Sequence, residues 1–334
     1  MLKEWKNDVS VLLIFFVRDE VFAKTFEAVR KARPRRLLLY QDGPREGRSD
    51  DLVGIQKCRE IAENIDWECE VHKNYQKKNW GCDPATFYSH KWAFSIVDKC
   101  IILEDDFVVS ESFFPFCKEL LNRYENDTRI NRICGANTLG ILKDCPYDYF
   151  FSTSGVGGVW ATWKRVADSW DESYEFLSDE YHIKNLRDNE GKRSFNNYYN
   201  LAINHKLTGK PHWETIVTFS QILNSRFNIV VTKNMVDNIG VGENSTHTDI
   251  PFNQMPRRLK KLYNVPVYEL DHEIVHPPYV VPNLSFIKQY QRLLGVSQSF
   301  PMRIYSQFCS IFLRLIHGNY KSVQKGIKRR INNW

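Results

Sequence analysis

No aspartate or glutamate occurs between Ile274 and Trp334, although the 334-residue chain holds 40 acidic side chains. That stretch carries nine cations: Lys288, Arg292, Arg303, Arg314, Lys321, Lys325, Lys328, Arg329 and Arg330. With a net charge of +6, the 273 residues before it therefore carry about −3. The basic character belongs to the tail, and no nucleic-acid-binding module accompanies it, so no nucleic-acid partner is expected. Missing too is any run of roughly 18 apolar residues, the length a helix needs to cross a bilayer. The eight cysteines include no C-x-x-C pair, and several stand inside apolar runs, as Cys100 does before Ile101-Ile102-Leu103. They read as buried, reduced thiols. Val9–Val17 follows Lys3 and Lys6 but has no small-residue cleavage site and runs into Arg18-Asp19-Glu20. It is expected as a first core strand rather than an export signal. A reducing cytoplasmic location follows as an expectation. The Asn-x-Ser/Thr triplets at Asn126, Asn244 and Asn283 would matter only in a secretory lumen. Internal repeats and low-complexity segments are absent as well.

Short apolar runs alternate with amphipathic, helix-length segments through the first third: Val9–Val17 then Phe22–Lys31, Leu37–Tyr40 then Leu52–Asn64, Trp67–Val71 then Pro84–Val97, and Cys100–Leu103. Strands separated by helices imply crossover connections, hence an α/β fold with a mostly parallel sheet flanked by helices. Ligands of such sheets gather at the carboxyl ends of the strands. Three of those ends are polar: Arg18-Asp19, Asp42-Gly43-Pro44-Arg45 and Glu104-Asp105-Asp106. Further on, a helix is expected over Ser112–Tyr124 with Ser112 as N-cap. "STSGVGGVWATWK" (152–164) reads as a glycine-rich aromatic loop entering a helix, 178–206 as polar helix, Trp213–Asn224 as half-apolar helix and Ile229–Val231 as a short strand.

Three adjacent carboxylates at the end of an apolar strand repel one another. Either they are solvated at the start of a loop, or something positive sits among them. Hard carboxylate oxygens suit Mg²⁺ or Mn²⁺, which are commonly held by one or two protein carboxylates with substrate phosphates completing the shell. Asp42-Gly43-Pro44 has the composition of an ordinary turn. Glu214 reads either as a surface helix residue or as a base. His247 suits a metal or phosphate contact as well as a structural role. The glycines before Trp160 permit close backbone approach to a ligand, with Trp160 as a sugar platform or as a core residue.

Taken in order, "YQDGPR" (40–45), "NWGC" (79–82) and the strand "IILEDD" (101–106) resemble the GT-A glycosyltransferases that use nucleotide-diphospho-sugars. "HWETIVTF" (212–219) resembles a Trp-Asp motif on a helix, and "NMVDNIGVGENSTHT" (234–248) an Asn-Ile-Gly…Thr-His-Thr segment. Both are found in bacterial glycosyltransferase-like proteins of surface-polysaccharide clusters. Those proteins are related to the Golgi enzyme that adds the first antennal N-acetylglucosamine to N-glycans. The likeness runs from about Val9 to Thr248.

The resemblance implies a Rossmann-like GT-A domain and a role for each matched residue. Asp106 would coordinate Mn²⁺ or Mg²⁺, Asp105 would face the ribose or a metal-bound water, and Glu104 the donor sugar. Asp42 would bind the nucleoside, Arg18 would lie near the base or phosphates, and Asn79 and Gly81 would belong to a loop closing over the nucleotide. Glu214 would be the general base and Trp213 would line the sugar pocket; relatives carry Asp where this chain has Glu214. His247 stands in the Thr-His-Thr match. On this reading residues 1–110 are the nucleotide-sugar half, 111–272 the acceptor and catalytic half, and 273–334 a basic helical extension. The donor would be a UDP-sugar and the acceptor a glycan, lipid-linked in one version, in capsule or lipopolysaccharide O-antigen assembly.

Two other classes compete. A sugar nucleotidyltransferase would use the same sheet and metal, but "FFVRDEVFAK" after the first strand lacks the glycine-rich signature. A membrane-surface or scaffold module would be built on "PMRIYSQFCSIFLRLIH" (301–317), an amphipathic helix followed by "KSVQKGIKRR". Such a helix suits the anionic inner face of the plasma membrane.

Overall fold

The computed structural model describes residues 2–155, 157–240, 260–295, 300–316 and 320. An eight-stranded sheet organises them. Its first four strands are β1 (Ser10–Phe15), β2 (Arg36–Gln41), β3 (Glu70–Tyr75) and β4 (Lys99–Glu104), linked by helices α1 (Asp19–Ala32), α2 (Asp50–Glu63) and α3 (Cys82–Phe94). β3-β2-β1-β4 run parallel, and β6 (Ile130–Cys134) and β9 (Phe227–Val231) share their direction. β8 (Val159–Trp163) and β7 (Tyr149–Ser152) run against it, in the order β3-β2-β1-β4-β8-β6-β9-β7. The mostly parallel, helix-flanked α/β sheet expected from the sequence is the one formed. Among the described residues no helix is long and apolar enough to cross a membrane.

The central strands are apolar without interruption because both sheet faces are covered. Along β1, Val11, Leu13 and Phe15 join one core with Phe22, Phe26 and Val29 of α1 and with α4 (Phe113–Arg123). Leu12 and Ile14 point the other way, toward α3, α7 (Lys192–Thr208) and α8 (Trp213–Leu223). Trp67 precedes β3 rather than starting it; its indole donates to the Pro34 carbonyl at 2.8 Å and plugs the first core.

Several local expectations are corrected. Val159–Trp163 is not loop but a fully buried strand between β4 and β6, and it runs directly into the short helix Lys164–Ala167. Its β-branched and aromatic side chains fill both cores, and two waiting neighbours supply its ladder. The 178–206 stretch is two helices, α6 (Glu180–Glu190) and α7, broken at Gly191 with φ 80°. Ser112 precedes α4 but makes no side-chain cap. Glu269 caps from outside instead, accepting from the Glu111 amide at 3.0 Å and the Ser112 amide at 2.9 Å. A carboxylate at that helix start answers its orphan amides and its dipole together. The eight cysteines are thiols, none joined in a disulfide among the described residues.

Candidate active site

β1, β2 and β4 are parallel and in register, Phe15 beside Gln41 and Ile14 beside Glu104, so Arg18, Asp42 and Glu104-Asp105-Asp106 emerge at one edge. After Glu104 the chain turns through Asp105-Asp106 into β5 (Phe107–Val109), which pairs with β10 (Val236–Asn238). Asp105 turns inward. Its carboxylate takes the Arg18 guanidinium and, at 3.4 Å, the Phe16 amide, while its carbonyl accepts from Thr25 Oγ1 at 2.8 Å. Burial pushes the Asp105 carboxyl up, and the charge and hydrogen bond of Arg18 oppose it. The positive group among the carboxylates is thus a side chain of the protein. Arg18 also reaches Asp106 Oδ2 at 3.1 Å. Glu104, squeezed by burial and then by the charges of Asp106, Asp105 and Glu214, is pushed up to about 8.

Asp106 has one oxygen to spare. Oδ1 is buried and has no hydrogen-bond partner among the described residues. The main chain at Gly240 packs directly on the same carboxylate, where a Cβ would collide with it, and the Ile239 amide donates to the Asp106 carbonyl at 2.9 Å. A buried anionic oxygen without a donor is costly unless a cation completes it. Asp106 therefore fits a hard divalent ion. Among the described residues no group of three or more His, Cys, Asp or Glu could hold a metal ion alone. His247 lies outside the described residues.

The second strand end builds a loop anchor. Asp42 accepts from the amides of Gly43 (2.9 Å), Trp80 (2.9 Å) and Gly81 (3.0 Å), and Asn79 Nδ2 donates to the Gly43 carbonyl at 2.9 Å. Burial raises Asp42 while these three amides pull it down. Gly43 is obligatory here, because a Cβ would meet the Lys78 backbone at 2.5–2.6 Å. The structure thus commits Asp42 and Asn79 to holding residues 78–81, with Gly81 (φ 84°) turning into α3. Trp80 is left 52% exposed on this edge, its ring 5.5 Å from that of Tyr88.

The acid of α8 approaches from the other side. Glu214, in the first turn and exposed, lies over Gly157, whose Cβ would sit 3.8 Å from Oε1. The neighbouring Gly158 carbonyl accepts from the Glu104 amide at 3.1 Å. Gly157-Gly158 is therefore the bridge between the acidic strand end and the acidic helix start. Trp213 and Trp160, by contrast, are core residues, 4% and 1% exposed and stacked with centroids 6.4 Å apart. Neither offers a sugar a free face. His90 stands edge-on to both rings with neither nitrogen partnered, and burial, helped by Arg132, holds it neutral with its pKa down at about 3. Arg132 lies over Trp160, its guanidinium carbon 5.5 Å from the ring centroid.

Sequence reasoning passed over Trp80, Arg132, Tyr198 and Tyr290. Trp80 stood inside a quoted motif, but nothing local distinguished it from the buried tryptophans. Arg132 sits in an apolar strand, "INRIC", and that misplaced charge was the available signal.

No family model and no curated protein matches the chain. Among solved structures it is similar to a mannosyltransferase from Pyrobaculum calidifontis in complex with GDP-Man and Mn²⁺, with 9% identity and a TM-score of 0.32 over 48% of this chain and 45% of that one. It is similar also to a UDP-glucose pyrophosphorylase complexed with UDP-glucose, with 10% identity and a TM-score of 0.33 over 69% and 93% of the two chains. A third is a 4-diphosphocytidyl-2C-methyl-D-erythritol synthase from Anaerococcus prevotii, with 12% identity and a TM-score of 0.30 over 52% and 79%. The match spans less than half of the mannosyltransferase. Likenesses this distant assign nothing to individual residues.

Proposed function

We propose that the protein is a glycosyltransferase that moves a sugar from a nucleotide-diphospho-sugar, a UDP-sugar by the sequence resemblance, to a glycan acceptor. The observation that carries the reading is the meeting of two acids across Gly157-Gly158: the strand end with its unpartnered Asp106 oxygen, and Glu214 at the start of α8. One side suits a cationic complex of a diphosphate, the other a proton acceptor open to solvent.

In this mechanism Glu214 takes the proton of the acceptor hydroxyl, and that oxygen attacks the anomeric carbon from the face opposite the nucleotide. The new carbon–oxygen bond forms as the bond to the diphosphate breaks, and the configuration inverts. Asp106 would hold Mn²⁺ or Mg²⁺, which when bound neutralises negative charge on the departing diphosphate. Arg18 pairs with Asp105 beside it and opposes the effect of its burial. Asp42 and Asn79 shape the 78–81 loop, and Trp80 is the exposed ring for a base or sugar. Residues 1–110 are the donor half, 111–272 the acceptor half and 273–334 the extension. Cytoplasmic bacterial capsule or O-antigen assembly is the setting that the resemblance supports. A nucleotidyltransferase is the weaker reading, because after β1 the chain enters α1 without glycines and its one cation there, Arg18, is tied to Asp105.

The test is a screen of nucleotide-sugars with Mn²⁺, comparing the chain with Glu214→Gln. A positioned base is worth about 10²–10⁴-fold. The variant should bind the donor as the parent does and lose turnover by about that factor. Equal turnover would remove Glu214 from the chemistry, and no donor binding by either protein would sink the transferase reading.

The extension fits an anionic inner-membrane surface that would present a lipid-linked acceptor. The helix Phe300–Ile316 exposes Ile304, Tyr305, Phe308, Phe312, Leu315 and Ile316. At 100° per residue these fall within an arc of about 120°. Flotation with vesicles of anionic phospholipid should retain the whole chain and release one lacking residues 296–334. Equal flotation of both, or retention on neutral vesicles alone, would rule this out.

A further inference from the structure

On the Glu214 side of the site one cation stands without an anion. Arg132 projects from β6, partly buried, with its Nε enclosed and unpartnered. No carboxylate among the described residues comes within ion-pair distance of it, whereas Arg18, at the opposite edge, is held by two. Its guanidinium lies over the Trp160 ring at 5.5 Å. Stacking on an indole offsets part of the cost of removing a guanidinium from water but leaves the in-plane N–H donors open. A partly buried, unpaired guanidinium is therefore a built electrostatic demand for an oxyanion, and its planar fork suits a carboxylate or phosphate in bidentate fashion.

Its surroundings say where that anion would sit. Tyr290, on the helix Leu284–Leu294, donates from its hydroxyl to the Gly155 carbonyl at 3.4 Å, beside the glycine bridge on which Glu214 rests. Tyr198 of α7 is the second phenol. Burial raises both phenols; the charge of Glu214 adds to this and the charge of Arg132 opposes it, so both rings lie within the field of both groups. On the donor edge the cation that Glu104 feels is Arg18. Arg132 thus belongs with the base, not with the carboxylate that would hold the donor's cation.

We infer that Arg132, with Tyr198 and Tyr290 beside it, forms an anion subsite that takes a carboxylate or phosphate carried by the acceptor. This rests on the transferase reading for the word acceptor, and the physical claim is selective binding of anionic sugars next to Glu214. The stacked indole provides a direct signal, because an oxyanion drawn onto Arg132 changes the field at Trp160.

The full chain is titrated, without donor, with two matched pairs followed by tryptophan emission and calorimetry. These are methyl glucuronide against methyl glucoside, and N-acetylglucosamine 1-phosphate against N-acetylglucosamine. The expected result is a preference of at least about tenfold for the anionic member of one pair, which also tells a carboxylate from a phosphate source. Arg132→Leu should abolish that preference, and Arg132→Lys, which keeps the charge but not the fork, should retain part of it. Mn²⁺-dependent donor binding should persist in both variants. Absence of any anionic preference in the parent overturns the subsite, and this outcome does not depend on either variant folding. So does a preference that survives Arg132→Leu, or a loss of donor binding in its place, which would give Arg132 to the donor diphosphate. Should no nucleotide-sugar bind the parent while the anionic preference holds, the transferase reading fails and the subsite stands.

Discussion

Asp106→Asn is expected to abolish metal-dependent binding of the nucleotide-sugar and to lower turnover by about a thousandfold, the scale set by losing one preorganised electrostatic group at a charged transition state. Asparagine keeps the volume under Gly240, so the β5–β10 pair has no steric reason to move. The Arg18–Asp105 pair is likewise untouched. What goes is the carboxylate charge, shared between Oδ2, which Arg18 reaches at 3.1 Å, and Oδ1, which has no hydrogen-bond partner among the described residues. Thermal shift with Mn²⁺, with donor, and with both separates the terms. The parent should show a gain with both that exceeds the two separate gains, and the variant should lose that excess. A variant that keeps it would show that the acidic turn holds no metal–diphosphate and that Asp106 is only a strand-end charge.

Trp160→Ala carries the largest expected cost in stability, about 3–5 kcal/mol. The side chain is 1% exposed, stacked on Trp213, edge-on to His90 and covered by Arg132. Its removal leaves a cavity beneath the start of α8, and Glu214 rides on that start. Urea denaturation should show the full loss, with activity falling in step as the Glu214 backbone loses its support. A stability change under about 1 kcal/mol together with weakened sugar binding would instead mean that the ring meets a ligand. The contrast is with Trp80, which is half exposed and contributes little to the core.

Much of the fold was legible because burial on two faces and on one face leave different periods in the chain. β1, β2 and β4 read as uninterrupted apolar runs, and α1 repeats Phe22, Phe26 and Val29 on one side. Val159–Trp163 was not legible. A Val-Trp-Ala-Thr-Trp run after glycines looks alike in a loop entering a helix and in a strand, and only the gap between β4 and β6 decides. The capping hydrogen bond expected of Ser112 failed for a similar reason: its hydroxyl donates instead to Glu269, 157 residues away.

The candidate site divides in the same way. Chain order alone placed Arg18, Asp42 and the 104–106 triplet at strand ends, and parallel pairing is bound to bring such ends to one edge. Sequence also sufficed to mark Glu214 as an acid at a helix start, and the tail as basic without any acid to balance it. Which carboxylate is free, however, was decided by the tertiary structure, because it depends on where one guanidinium reaches: Arg18 commits Asp105 and leaves an oxygen of Asp106 open. Tertiary packing likewise made Trp160 and Trp213 core while leaving Trp80 exposed, and left Arg132 without a counter-charge among the described residues. Burial and ion pairing are properties of neighbours distant in the chain, and no local pattern of residues encodes them.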